Sequence, residues 1–244
     1  MDLEEVRKYL RRTDWCRFPD VVILADVPAA KRHPLFSAAK AGDAKGAEAL
    51  IDDVLANATT ADLGSLIGHS KPDLLAVHAV EDVGMNAIPR ALARVLSVRL
   101  DLPVATGIVQ INRVGHTGAG GYHRLAFPPV FDGEVNPVDY FLVDDFIGQG
   151  GTLANLRGYV ESKGGRVLGA VTLTGKAYSA KLCLQGETLS GLREKHGTRI
   201  EEWWAATYGY SFERLTESEA RYLTRSDDAN TISTRIADAR RAGN

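Results

Sequence analysis

Apolar positions along this chain follow two periods. Val21 to Ala25, Leu74 to Val80, Val104 to Ile111, Val138 to Val143 and Arg166 to Leu173 are short runs dominated by apolar residues, and each predicts a strand. Between them the spacing turns helical. Ala44 to Ala58 places Ala47, Leu50, Ile51 and Leu55 on one face, and Ala87 to Ser97 points Leu92, Val95 and Leu96 inward with Pro89 in the first turn. Thr152 to Lys163 buries Leu153, Leu156 and Val160 and is stopped by Gly164-Gly165. Strands that are apolar throughout suit a parallel sheet covered on both faces. The alternation of strand and helix therefore predicts an α/β fold with a doubly wound, mainly parallel sheet.

Three segments are expected. Residues 1–70 read as a mostly helical extension carrying one strand, and Ser70-Lys71-Pro72-Asp73 punctuates the chain before the α/β core of residues 71–185. Residues 186–244 return to helical, charge-rich sequence with an aromatic cluster at Trp203, Trp204, Tyr208, Tyr210 and Phe212, suited to packing or an interface. From Asn112 to Pro137 the sequence is irregular, with five glycines and three prolines. A loop this long inside a compact domain points to function.

Composition changes the picture only by exclusion. The 244 residues are 45% hydrophobic and 25% charged with a formal net charge of -2, so no global attraction to nucleic acid or an anionic membrane is expected. The acidic start, Met1-Asp2-Leu3-Glu4-Glu5, does not suit a signal peptide, and no apolar run is long enough for a membrane span. Cys16 and Cys183 are too few and too distant in sequence for a disulfide framework or zinc site, which predicts a reduced, cytoplasmic protein.

The chemistry concentrates in Tyr140-Phe141-Leu142-Val143-Asp144-Asp145-Phe146-Ile147-Gly148-Gln149-Gly150-Gly151-Thr152-Leu153. An apolar strand ends in two carboxylates, and three glycines lead to a threonine that opens a helix. Ligands of open parallel sheets sit beyond the carboxyl ends of the strands. Glycines let backbone amides close around an anion, the helix N-terminus adds partial positive charge, and Thr152 suits a cap. Two carboxylates beside a phosphate suit sugar hydroxyls or metal-bound waters better than the phosphate itself. The loop lacks the Gly-Lys-Ser/Thr ending of a nucleotide P-loop, and a dinucleotide fingerprint would place its third glycine at Leu153. A Gly-rich turn with solvated aspartates fits the same residues.

This stretch resembles the ribose-phosphate signature of type I phosphoribosyltransferases, and the resemblance extends over about Leu74 to Leu173. It implies that Asp144 and Asp145 contact ribose hydroxyls, directly or through the waters of a Mg²⁺ ion, while Gly148, Gln149, Gly150, Gly151 and Thr152 hold a 5′-phosphate. It further implies that the turn Asp82-Val83-Gly84-Met85 binds pyrophosphate, although an ordinary strand-to-helix turn suits those residues equally. The segment from Arg113 to Arg124, with His116 and His123, would be a closing loop whose arginines assist catalysis. On this resemblance the chain is expected to be a phosphoribosyltransferase, taking 5-phosphoribosyl 1-pyrophosphate (PRPP) as donor and acting as a homodimer on a small molecule. The alternative is a non-catalytic sensor of PRPP or a nucleotide on the same fold. The acceptor stays open: no acidic residue stands at Gly148, as in relatives acting on 6-oxopurines, and no lysine lies between Lys71 and Lys163, as in those acting on orotate.

Overall fold

The structure is a computed structural model of the chain, and it describes residues 1–56, 61–78, 80–81, 84–114 and 120–242. Its centre is a sheet of four parallel strands: β1 (Val22–Ala25), β2 (Asp73–Ala76), β3 (Asp139–Ile147) and β4 (Arg166–Gly175), in the spatial order β1-β4-β3-β2. β3 is covered on both faces, as its unbroken apolar run requires. Phe141 and Val143 pack on one side with Leu50 and Leu92, and Tyr140 and Leu142 pack on the other with Leu153 and Leu156. Each fully buried leucine or phenylalanine in these layers contributes roughly 1.5–3 kcal/mol.

The first face is covered by α1 (Phe36–Lys40), α2 (Ala44–Val54) and α3 (Ile88–Leu100). Asp43 caps α2 by accepting from the Gly46 amide, and Ala47, Leu50, Ile51 and Leu55 are buried as their spacing predicts. Pro89 sits in the first turn of α3. The opposite face is covered by α4 (Gly151–Ser162), which ends at Gly164 in the left-handed region (φ +94°).

The C-terminal segment contributes α5 (Gly186–His196), α6 (Thr198–Tyr208), α7 (Glu217–Thr224) and α8 (Ala229–Ala242). Together with the helix Leu3–Tyr9 these form a third core around Trp204, Tyr208 and Phe212. The aromatic cluster is thus mainly a packing device, with Trp204 only 1% exposed. Among the described residues no helix is long and apolar enough to cross a membrane.

Several elements differ from their expected form. Residues 104–111 do not make a core strand: Val104 forms one isolated bridge to Leu74, and Val109–Gln110 pairs antiparallel with Phe131–Asp132. Gly107, at φ +94°, turns the chain between them, and its carbonyl closely approaches Gly133. The run after Leu74 leaves the sheet at Ala76, and Val80–Glu81 folds back on Gly84–Met85. β3 runs longer than expected and carries Asp144 and Asp145 inside it, because β4 pairs with it as far as Ile147 and Gly175. The irregular stretch holds a helix at Gly121–Ala126. The fold also brings the two cysteines close, with Cys183 Sγ 3.8 Å from the Cys16 carbonyl oxygen.

Candidate functional site

Successive strand residues face opposite sides of a sheet, so Asp144 and Asp145 leave the strand on opposite faces, yet their carboxyls stay close enough to interact. Asp145 points toward α1, where its Oδ2 lies 3.0 Å from Lys40 Nζ. Asp144 faces the α4 side and lines a small cavity with Gly148, Gln149 and Thr152. Its Oδ1 accepts the Asp145 amide at 2.8 Å. Burial first, and the neighbouring Asp145 second, hold the Asp144 carboxyl well above the usual carboxylate range, with Lys40 only partly offsetting them. A magnesium ion held through waters would compete with Lys40 for Asp145 and would need the raised Asp144 carboxyl to ionise. No group of three or more metal-ligating side chains occurs among the described residues.

The glycine loop is closed by the chain's own terminal segments. Gly150 caps α4 in the left-handed region (φ +80°), and a Cβ there would lie 2.2 Å from Leu182 Cδ2. A Cβ on Gly151 would lie 2.6 Å from Glu219 Oε1. The Thr216 hydroxyl donates to the Gln149 carbonyl at 2.6 Å. No side chain caps α4, and Thr152 is its second residue rather than its cap. The first amides of the helix therefore lack intrahelical acceptors, and the carboxylate of Glu219 stands beside them. Arg12 grips that carboxylate with two hydrogen bonds of 2.8 and 2.9 Å and donates from Nε to Asn155 Oδ1 at 2.5 Å. Burial opposes the charge on Arg12, but Glu219 outweighs it and holds the guanidinium protonated.

Gln149 carries the least satisfied group in the site. Both Oε1 and Nε2 of its side chain are buried, and neither has a hydrogen-bond partner among the described residues. Buried amides in native proteins are nearly always paired, so such a group needs a partner from outside the chain. The cavity bordered by Gln149 and Asp144 measures about 40 Å³, more than the roughly 10–15 Å³ one water requires.

The remaining expected residues scatter. Arg124 joins the site: its Nη1 lies 2.9 Å from where a Gly148 Cβ would stand, and burial lowers its pKa. Arg113 is exposed and lines neither this cavity nor the larger one beside it. Gly84, at φ +130°, lets its backbone meet the Ala41 carbonyl, where a Cβ would come within 2.5 Å, and Met85 is exposed with Sδ 2.8 Å from His78 Nε2. That turn is thereby docked on the segment after α1. Asp82, Val83 and His116 lie outside the described residues.

Sequence reading missed Arg12, Lys40 and Glu219. Glu219 had one visible signal, the Thr216-Glu217-Ser218-Glu219 pattern, which forms a reciprocal capping box at the start of α7. Nothing in the sequence joins it to Arg12.

The fold and site define an α/β protein with a small polar cavity beyond the carboxyl ends of a parallel sheet. No family model matches the chain. It is 44% identical over 230 residues to Protein TraN of Escherichia coli, covering 94% of this chain and 51% of that protein. It is 41% identical over 160 residues to an uncharacterized protein of Haemophilus influenzae, covering 65% of this chain and 36% of that one. The chain thus spans about half the length, or less, of the curated relatives it matches. An adenine phosphoribosyltransferase from Leishmania donovani overlays 81% of the chain and 74% of its own at 13% identity, with a TM-score of 0.33, too low to carry an argument.

These relatives overturn the expected function. The sequence likeness runs to Protein TraN and to an uncharacterized protein, not to phosphoribosyltransferases. Neither the transfer reaction nor a sensor of its donor follows.

Proposed function

We propose that the chain is a small-molecule-binding protein whose ligand places a hydroxyl-bearing end against Asp144 and Gln149. The observation that carries this reading is the Gln149 side chain, with a buried donor and a buried acceptor that nothing satisfies among the described residues. A hydroxyl group supplies both a donor and an acceptor and meets both needs. Asp144 supports the same chemistry, because a carboxyl raised toward its neutral form donates as well as accepts. A dianion fits this side poorly, since the Glu219 carboxylate already flanks the first turn of α4.

Titration calorimetry with ribose and ribose 5-phosphate tests the reading. Wild-type protein is expected to bind ribose with one hydroxyl in this cavity, and Gln149→Leu is expected to weaken that binding by about tenfold, the value of one buried hydrogen bond. Equal affinity in the variant would overturn the assignment.

A further inference from the structure

A second cavity, of about 350 Å³, opens on the other side of Gly148 and Gln149. Lys31, Lys176, Arg221 and Arg225 line it, and Arg124 reaches it from the site described above. The four cations come from separate parts of the fold. Lys31 ends the helix Val27–Lys31 after β1, Lys176 directly follows β4, and Arg221 and Arg225 lie one turn apart at the end of α7. No carboxylate lines the cavity, and among the described residues none of these four cations forms an ion pair.

Three of the four lie over aromatic rings rather than beside acids. Lys31 Nζ lies 5.6 Å from the centroid of Phe146, and Lys176 Nζ and Arg221 Cζ each lie 5.7 Å from that of Tyr178. Favourable contact with the negative end of α7 accounts for Arg221 and Arg225 at its last turn. It does not account for Lys31 and Lys176, which belong to other elements. Like charges gathered around one cleft repel each other and focus a positive potential into it. The volume falls within the range of about 300–1,000 Å³ typical of small-ligand sites.

We infer that this cavity binds a small polyanion bearing at least two phosphate groups, which Lys31, Lys176, Arg221 and Arg225 neutralise. The inference goes beyond the hydroxyl-binding reading and does not depend on it. Phosphates are preferred over a single carboxylate because the cations surround the space from three elements, and arginine matches phosphate oxygens with paired hydrogen bonds.

Inorganic tripolyphosphate has no carbon-bound hydroxyl and reads this cavity without the Gln149 side. Calorimetric titration of the full chain is expected to show saturable binding whose affinity falls steeply between 50 and 300 mM salt (about a factor of ten or more). Lys176→Glu combined with Arg221→Glu is expected to lower affinity at least tenfold at low salt, with inorganic phosphate binding more weakly than tripolyphosphate throughout. If that pair disturbs folding by circular dichroism, Lys31→Ala with Arg225→Ala serves, and the same tenfold loss is expected. No saturable binding to wild type, or undiminished affinity in a folded variant pair, would overturn the inference. No ribose binding by wild type, with wild-type tripolyphosphate binding intact, would count against the hydroxyl-binding reading alone.

Discussion

Arg12 and Glu219 stand 207 residues apart in the chain and meet in a two-pronged ion pair, nearly sealed from solvent, beside the first turn of α4. The pair ties the N-terminal segment to α7 across the glycine loop. Removing one partner strands a buried charge, so Glu219→Ala is expected to cost about 3–5 kcal/mol of stability. Arg12→Met with Glu219→Leu is expected to cost less than the sum of the single changes. Urea denaturation of the two singles and the double measures this coupling.

Asp144 gives a pH signature. Its folded-state pKa is raised by burial and by Asp145, so the native state holds its proton after the unfolded chain has released it. Stability should therefore fall as pH rises from the ordinary carboxylate value through the raised folded value. Asp144→Asn removes this effect. The variant is expected to match wild type at pH 3 and to exceed it in melting temperature near pH 7, and identical pH profiles would contradict the placement of Asp144.

Gly150 is fixed by two separate constraints, its left-handed φ and the methyl of Leu182. Gly150→Ala is expected to destabilise by roughly 1–2 kcal/mol for the backbone alone, with overpacking adding about 1–3 kcal/mol. Leu182→Ala itself costs about 2–5 kcal/mol, so measured against that single variant, adding Gly150→Ala should cost only the backbone part. Thermal melts of these variants at one pH separate the two.

Much of this fold was legible because β3, β4, α2 and α4 are long or strongly periodic. Tyr140 to Val143 had to be buried on both faces, and Ala47, Leu50 and Ile51 share one helical side. Residues 104–111 misled because a short apolar run carries no record of partners, and Gly107 decides where the chain turns. The glycine loop was visible, yet its surroundings were not. Leu182, Thr216 and Glu219 reach it only through tertiary packing, and they change what its amides face. Lys31, Lys176 and Arg221 likewise look like ordinary surface charges until the fold collects them around one cavity.

The account rests on the buried side chain of Gln149 meeting a ligand from outside the chain. Its amide resonance, assigned by comparing the spectra of wild type and Gln149→Leu, reports that contact directly during titration with ribose. With ribose as the titrant, a saturable shift of that side-chain NH₂ pair is expected, in step with the backbone amide of Gly148. Saturation of the protein with those signals unmoved would contradict it.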